Sequence, residues 1–343
     1  MSTLRAAIVC AGRGSYTERS LRSLPGTGQT GTELVQQAEH LRRGYGLPSL
    51  VELDSATRFD SQTHLLPANV SPLIWLVSML DAAQAKRDYD VTCIAGNSMG
   101  WYTALAVGGA LSFDDGYRLV QEMSFLQQEH QDHPDNERRG GQIIYPVVDD
   151  DWRMDNERLG AVEDALASSN GEAWRSIDLG GYAVLAGSEL GVKHLLKTLP
   201  RVQLGKNPYP FRLMQHGPYH TPLAAPVAEA AKKRLASLEF RRPEITLIDG
   251  RGRQFTPWST DPAELRDYTF GDQVTTPYDF TLSVRVALRE HAPDRLVCPG
   301  PGNTLGGVCG QILIEEGWRG TSSKSDFDAL QSSDEPVLVS MRR

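Results

Sequence analysis

The chain has 343 residues, of which 40% are hydrophobic and 23% charged, and its formal net charge is -8. These values are typical of a globular protein with a large buried core, built as one α/β unit with an insertion or as two domains. The negative charge argues against nucleic acid as the main partner, because neutralising phosphates requires a basic surface.

Apolar, strand-like runs alternate with helical patterns through the first 130 residues. This alternation predicts a parallel sheet that is covered by helices. The predicted strands are 4–12 and 89–96, and the predicted helices are 33–43, 71–86, 101–111 and 113–130.

The pattern changes near Gly140. Residues 140–215 predict a compact β-α-β-β-α-β unit, and the helix that follows at 225–238 resumes the earlier pattern. We therefore predict a large α/β domain that is interrupted by a small domain. The predicted large domain is 1–139 and 216–320, the small domain is 140–215, and 321–343 is a C-terminal tail. We expect the polar residues 320–334 to be loosely held and residues 336–341 to form a last strand.

The cysteines and the apolar runs limit the class of protein. Cys10, Cys93, Cys298 and Cys309 lack metal-ligand spacing and are too few for a disulfide framework. We expect buried, reduced thiols in a cytoplasmic protein. The N-terminal apolar run is too short for a signal peptide, and no window reaches the roughly 18 apolar residues of a membrane span.

The segment Gly96-Asn97-Ser98-Met99-Gly100 lies between a predicted strand and a predicted helix. This is the setting that a G-x-S-x-G nucleophile elbow requires, with the serine at the apex of a tight turn. The free N–H groups at the start of the helix would face an oxyanion formed there. The alternative is a glycine-serine turn with no catalytic role.

A serine hydroxyl is a weak nucleophile and needs a base within hydrogen-bond reach. His216 and His220 are favoured among the eight histidines, because they lie in a Gly/Pro-rich loop where the small domain returns to the large one. His130 and His133 lie in a charged segment, and we expect them to be solvated rather than to hold a metal.

Segments spread along the chain match, in the same order, the motifs of one known family. They are AGRGS at 11–15, GNSMGWYTAL at 96–105 with the helices after it, GGYAVLAGS at 180–188, GPYHTPL at 217–223, DQVTTPYDFTLSV at 272–284 and PGPGNTLGGV at 299–308. On these segments the chain resembles the malonyl-CoA:acyl carrier protein transacylases and the acyltransferase domains of polyketide synthases, over residues 4–316.

The resemblance implies an α/β-hydrolase-like large domain, an inserted ferredoxin-like (α+β) small subdomain and an active site between them. It implies a ping-pong reaction in which Ser98 attacks the thioester of an acyl-CoA and His220 takes the proton. A main-chain carbonyl, rather than a carboxylate, would orient the histidine. It also implies that Gln273 is catalytic and that the N–H groups of Arg13 and Met99 form the oxyanion hole.

Three departures from the family bear on the acyl group. Met123 stands where the family has the arginine that binds the malonyl carboxylate, and methionine cannot form that bidentate pair. Arg13 replaces a glutamine of the family. It would either bind an acyl carboxylate from the opposite side of the pocket, bind the CoA phosphates or orient a water molecule. The alternative is a salt bridge to a nearby acidic residue. Asn97, Met99 and Trp101 replace His, Leu and Glu, and we expect Trp101 to narrow the acyl pocket. The predicted substrate-binding residues are Arg13, Asn97, Trp101, Met123 and His216.

The first functional hypothesis is a trans-acting acyl-CoA:acyl carrier protein S-acyltransferase of polyketide or fatty acid biosynthesis. Its partners would be acyl-CoA and an acyl carrier protein, without a cofactor, nucleic acid or membrane. Because carrier proteins are usually acidic, docking would need a basic segment. The candidate segments are Arg42-Arg43, Lys232-Lys233-Arg234 and Arg241-Arg242.

Two further hypotheses use the same scaffold. One is an acyl-thioester hydrolase that clears misloaded carrier proteins, in which water rather than a thiol resolves the acyl-serine. The other is a degenerate scaffold that only binds a carrier protein. The joint presence of Ser98, His220 and Gln273 argues against the second of these.

Overall fold

The computed structural model describes residues 3–24, 29–133 and 139–342, which form two domains around two main sheets. The strands are β1 (Arg5–Cys10), β2 (Asp90–Gly96), β3 (Gly140–Pro146), β4 (Ala173–Leu179), β5 (Tyr182–Ser188), β6 (Val202–Leu204), β7 (Asn207–Tyr209), β8 (Phe211–Arg212), β9 (Thr246–Ile248), β10 (Gln254–Phe255), β11 (Tyr278–Asp279), β12 (Arg295–Cys298) and β13 (Leu338–Ser340). The α-helices are α1 (Gln29–Gly44), α2 (Leu50–Asp54), α3 (Ser61–His64), α4 (Pro67–Asp88), α5 (Gly100–Val107), α6 (Phe113–Asp132), α7 (Asn156–Ala167), α8 (Glu189–Thr198), α9 (Ala225–Arg234), α10 (Pro262–Phe270), α11 (Asp272–Thr275), α12 (Phe280–His291), α13 (Thr304–Glu315) and α14 (Lys324–Gln331).

The large domain is built on a six-stranded sheet with the order β10-β9-β2-β1-β12-β13. Strands β9, β2, β1, β12 and β13 are parallel, and β10 is antiparallel to β9. Side chains alternate across the sheet, so that Ile8 and Cys10 pack with α4, α5 and α6, whereas Ala7 and Val9 pack with α12 and α13. Both faces of β1 are therefore buried, which explains its continuous apolar run. The predicted parallel sheet covered by helices is confirmed.

The small domain has the chain order β3-α7-β4-β5-α8-β8, with the short β6–β7 hairpin before its last strand. Its strands are antiparallel in the order β4-β5-β3-β8. Apolar residues of α7 and α8, such as Val162 and Leu195, pack with Ile143 and Leu185 on one face of this sheet. Strand β11 of the large domain extends the sheet by pairing with β4, so hydrogen bonds run directly between the two domains.

The residues after 320 are part of the large domain. The expectation that 320–334 are loosely held was wrong, whereas the last strand predicted at 336–341 is present as β13. Helix α14 buries Phe327 in a core cluster with α13, and β13 pairs in parallel with β12. Arg342 donates to the carboxylate of Asp81 and to the carbonyl of Ser23. The polar composition of the segment was misleading, because an edge helix and an edge strand need few apolar side chains to attach.

Candidate active site

Ser98 has a left-handed backbone, with φ of 55°, in the turn that leads from β2 to α5. The two glycines of the motif leave no room for a side chain. A Cβ on Gly96 would lie 2.2 Å from the main chain of Gly100, and one on Gly100 would lie 2.2 Å from the carbonyl oxygen of Cys10. A positive φ is uncommon for serine and is held by the surrounding structure. The local geometry is that of a nucleophile elbow.

The candidate base, His220, lies within hydrogen-bond distance of this serine. The Nε2 atom of His220 lies 2.8 Å from Oγ of Ser98, and its Nδ1 atom lies 2.7 Å from the main-chain oxygen of Gln273. A carbonyl only accepts, so Nδ1 carries the proton and Nε2 accepts the serine hydroxyl. Burial lowers the pKa of His220 to about 4, which keeps the imidazole neutral near pH 7 and ready to take a proton.

Gln273 joins the two members of this dyad. Its main-chain oxygen binds His220, while its side-chain Nε2 donates to the main-chain oxygen of Ser98 at 3.1 Å. Its Oε1 accepts a hydrogen bond of 2.9 Å from the hydroxyl of Tyr102, which is buried on α5. The backbone N–H of His220 also donates to the carbonyl of Val274. The short helix α11 therefore fixes both the ring orientation and the turn that carries the nucleophile.

Two cavities lie beside Ser98. The larger has a volume of about 380 Å³ and runs between the domains, where apolar side chains of β3, β4 and β5 form one wall. The smaller, of about 20 Å³, lies between α5, α6 and α11 and contains no lysine or arginine in its lining. Polar side chains that line the larger cavity include Arg13, Asn97, Ser98, Gln127, Gln142 and His216.

Arg13 lies at the edge of the larger cavity and has neutral partners. One guanidinium nitrogen donates to Oε1 of Gln127 at 2.5 Å, and another donates to the main-chain oxygen of Gln215. It forms no ion pair with a carboxylate within the described parts of the chain, so the salt bridge considered from the sequence is not found. Burial lowers the pKa of Arg13. The backbone N–H groups of Arg13 and Met99 also have no hydrogen-bond acceptor among the residues that the structure describes.

The remaining predicted substrate-binding residues have different surroundings. Asn97 lines the larger cavity, and its Oδ1 is buried without a hydrogen-bond partner in the described structure. Met123, on α6, lines the smaller cavity beside Ser98 and His220. His216 lines the larger cavity opposite the elbow loop.

Trp101 lines neither cavity, so the expectation that it narrows the acyl pocket was wrong. Its side chain is completely buried on the far side of α5. The indole N–H donates to the hydroxyl of Thr269 at 3.0 Å, and the ring packs edge-on against Tyr268. Consecutive residues on a helix face different directions. The side chain of Trp101 therefore points into the core of the large domain and not into the cleft.

One of the basic segments also differs from the sequence-based expectation. Arg42 is fully buried and donates to the carbonyls of Pro48 and Ala68 and to the side chains of Asn69 and Gln121. Its hydrogen bonds connect α1 to α4 and α6, so Arg42 is not available to bind a carrier protein.

The other two basic segments remain at the surface. Arg234 forms two hydrogen bonds of 2.8 Å to the carboxylate of Glu129, and Arg241 pairs with Glu239. Lys232 and Lys233 are exposed, so this segment keeps positive charge on the outside of α9.

Sequence reasoning missed Gln127, Gln142 and Tyr102. Gln127 lies four residues after Met123 on α6, so helical spacing alone would have placed it beside that residue. Gln142 is an amide on a strand that is otherwise apolar, which is a sign of a buried polar partner. No comparable signal pointed to Tyr102, because aromatic residues at helical spacing usually belong to the core.

Neither a metal centre nor a membrane span emerges from residues 3–24, 29–133 and 139–342. In these ranges no three or more His, Cys, Asp and Glu side chains are grouped so that they could hold a metal ion. The helices in the same ranges are all too short or too polar to cross a bilayer.

Comparison with known proteins finds relatives of the chain, although no protein-family model matches it. A malonyl CoA-acyl carrier protein transacylase from Haemophilus influenzae is 25% identical over 331 residues, which are 95% of this chain and 97% of the relative. One from Bacillus subtilis is 24% identical over 256 residues, 74% of this chain and 75% of the relative.

Solved structures of such enzymes share the fold. The malonyl-CoA:ACP transacylase of Synechocystis sp. matches with a TM-score of 0.74 at 19% identity, covering 99% of this chain and 97% of the other. A type II PKS acyl-carrier protein in complex with its malonyl-transacylase gives 0.72 at 20% identity, covering 99% and 96%. The chain therefore has the fold of the malonyl-CoA:acyl carrier protein transacylases, and the resemblance inferred from its sequence is confirmed.

Proposed function

We propose that this protein is an acyl-CoA:acyl carrier protein S-acyltransferase that works through an acyl-Ser98 intermediate. The observation that carries the proposal is the 2.8 Å contact between Oγ of Ser98 and Nε2 of His220, at the edge of an interdomain cleft in a transacylase fold. The names of the curated relatives support transfer to an acyl carrier protein as the class of reaction. No cofactor takes part in the proposed reaction.

In the first half-reaction, Oγ of Ser98 attacks the thioester carbonyl of acyl-CoA while Nε2 of His220 takes the hydroxyl proton. The carbonyl oxygen becomes an oxyanion, and the unpartnered N–H groups of Arg13 and Met99 are the donors we assign to it. The C–S bond then breaks, and His220 returns its proton to the sulfur of the departing CoA. The acyl group remains as an ester on the serine.

The second half-reaction reverses these roles. The phosphopantetheine thiol of a carrier protein gives its proton to His220 and attacks the acyl-serine carbonyl. Oγ of Ser98 leaves and recovers that proton from the imidazolium. The bond from Nδ1 of His220 to the carbonyl of Gln273 keeps the ring in one tautomer and orientation through both halves.

We propose further that the acyl group is uncharged. Met123 is 2% exposed and lines the small cavity beside the dyad, which has room for about one water-sized group. A carboxylate there would have no cation, and an unpaired charge in a partly dry site costs several kcal/mol, on the order of ~3–5. An acetyl group or a longer apolar acyl chain lying toward the larger cavity avoids this cost.

Intact mass spectrometry with malonyl-, acetyl- and longer acyl-CoA tests these proposals. We expect a stable adduct of one uncharged acyl group on the wild-type protein, transfer of this group to an added carrier protein, and no adduct on Ser98→Ala. Rapid release of free acid without a carrier protein would instead support the acyl-thioester hydrolase. Absence of both adduct and turnover with every thioester would rule out both enzymes.

Malonyl-CoA distinguishes the role of Arg13. We expect little malonyl adduct on the wild-type protein, and acetyl loading that is slowed but not abolished in Arg13→Gln, which introduces the residue that the family has at this position. Efficient malonyl loading that disappears in Arg13→Gln, while acetyl loading remains, would show that Arg13 binds the carboxylate and would contradict the uncharged acyl group.

A further inference from the structure

A chain of buried hydrogen bonds connects the loop of the catalytic histidine to a second histidine. The hydroxyl of Ser176 donates to the main-chain oxygen of Tyr219 at 2.8 Å. The side-chain nitrogen of Gln142 donates to Oγ of Ser176 at 2.7 Å, and Nδ1 of His216 lies 2.8 Å from Oε1 of Gln142. Ser176 is 0% exposed and Gln142 is 2% exposed, so water does not compete for these bonds.

This chain permits only one arrangement of protons. The carbonyl of Tyr219 can only accept, so it takes the single hydroxyl proton of Ser176. Oγ of Ser176 must then accept from the amide nitrogen of Gln142, which places the amide oxygen toward His216. Nδ1 of His216 is therefore the donor, and Nε2 carries a lone pair.

His216 has one ring nitrogen left for a ligand. Nε2 has no hydrogen-bond partner among the described residues, and the side chain lines the cavity that also contains Ser98. Burial and the neighbouring charge of Arg13 hold the pKa of His216 well below its usual value. A neutral imidazole with its proton on Nδ1 accepts a hydrogen bond at Nε2 from a neutral donor.

Donors for a ligand lie next to this acceptor. Arg13 donates to the carbonyl of Gln215, the residue directly before His216, and both side chains line the same cavity. A guanidinium has five N–H groups, and the bonds to Gln127 and Gln215 leave others for a ligand. The cavity therefore offers a ligand both a donor and an acceptor. The N–H and C=O of one trans amide point in opposite directions, so a chain with two secondary amides complements the pair, with the N–H of one amide and the C=O of the other.

We propose that Nε2 of His216 and the guanidinium of Arg13 bind the two amides of the phosphopantetheine arm, with the N–H of the amide nearer the thioester donating to His216 and the C=O of the other amide accepting from Arg13. The inference rests on the proposed function, because acyl-CoA and acyl carrier proteins both present their thioester on this arm. It assigns His216 to recognition of the arm common to both substrates, and not to the chemistry of the acyl group.

Two acetyl thioesters that differ in one amide test this proposal. The wild-type protein should load acetyl from S-acetyl-N-acetylcysteamine, which has an amide, faster than from ethyl thioacetate, which has none. We expect His216→Phe to lower the ratio of the two loading rates by about 10-fold, the usual effect of losing one buried hydrogen-bond partner. His216→Gln, which retains an acceptor, should recover part of the ratio.

His194→Phe is the matched control, because His194 is a half-buried histidine of the small domain that binds Ser168 and Ala165 on the helical side. It should leave the ratio of rates unchanged. A merely structural role of His216 would slow both thioesters equally, and an unchanged ratio in His216→Phe would overturn the proposal.

Binding of pantetheine to Ser98→Ala, measured by calorimetry, separates this inference from the proposed function. We expect the Kd to rise by about 10-fold when His216→Phe is added to Ser98→Ala. If no thioester ever acylates Ser98, the proposed function fails, and the calorimetric comparison still decides the role of His216. An equal Kd in the two proteins would reject it.

Discussion

Three non-glycine residues of the candidate site and its loops, Ser98, Gln215 and His220, have φ values of 55°, 58° and 59°. Such backbone conformations cost about 1–3 kcal/mol each and persist only where the surroundings impose them. The strain at Ser98 presents its hydroxyl to His220. The strain at Gln215 turns its carbonyl toward Arg13. Three of the positive-φ positions therefore belong to the groups to which we assign catalysis and binding, whereas others, such as Ala292 at the end of α12, lie elsewhere.

The buried position of His220 leads to a prediction about pH. Ser98 needs the neutral imidazole, and burial lowers the pKa of His220 from 6.5 to about 4. Protonation is therefore delayed to lower pH, and the rate of acyl-serine formation should stay nearly constant from about pH 7 to pH 5. Below about pH 4 it should fall tenfold per pH unit. Rapid-quench mass spectrometry across this range measures the profile, and a midpoint near 6.5 would mean that the ring is not desolvated as described.

The sequence predicted the residues of the dyad but not the direction of every side chain. Ser98 and His220 were identifiable because their motifs combine unusual residue types with loop positions. Trp101 and Arg42 were misjudged, since each side chain can point into the core or outward from the same helical segment. Only packing decides between these directions, and Arg42 is buried because four acceptors surround its guanidinium.

At the scale of elements, the turn between β2 and α5 depends on the close approach of β1. We predict that Gly100→Ala destabilises the protein by about 3 kcal/mol or more, because the new Cβ would lie 2.2 Å from the carbonyl of Cys10 in β1. Gly160→Ala is the matched control: nothing lies within 4 Å of its Cβ position in α7. That variant should stabilise the protein by about 0.5–1 kcal/mol through helix propensity.

Urea unfolding measures both glycine variants. A Gly100→Ala protein as stable as the wild type would mean that β1 and α5 can move apart without loss of stability, which would contradict the close contact between Gly100 and Cys10.

Elements with a clear hydrophobic period were predictable, and short edge elements were not. The continuous apolar run of β1 predicted a strand, and the periodic pattern of α6 predicted a helix. Strands β10 and β11 have two residues each and are too short to show any period. Helix α14 buries one residue, Phe327. Such elements form because the completed sheets offer them unpaired edges and apolar surface, which no local pattern records.

At the scale of the whole molecule, an ion pair holds the residues after β13 against helix α4 of the large domain. Arg342 contacts the carboxylate of Asp81 at 2.8–3.1 Å, and this carboxylate also accepts from the backbone N–H of Gly300. Asp81 is 5% exposed. The ion pair therefore connects α4, the loop after β12 and the residues after β13.

We predict that Arg342→Ala lowers the free energy of unfolding by about 1–3 kcal/mol, because it leaves the Asp81 carboxylate buried without its cation. Arg241→Ala is the control, since Arg241 and Glu239 form an exposed pair of the kind that contributes under about 1 kcal/mol. Chemical denaturation compares the two, and an equal effect would mean that the C-terminal pair stabilises the fold no more than a surface pair does.

The position of β1 between β2 and β12 has a consequence for the biosynthesis of the protein. One edge of β1 can pair as soon as residues 90–96 have been made, but its other partner begins at Arg295. At translation speeds of about 5–20 residues per second, the intervening stretch of roughly 200 residues takes about 10–40 s to synthesise. During that interval on the ribosome, a strand whose residues 6–10 are all apolar has an open edge that other nascent chains or chaperones can bind.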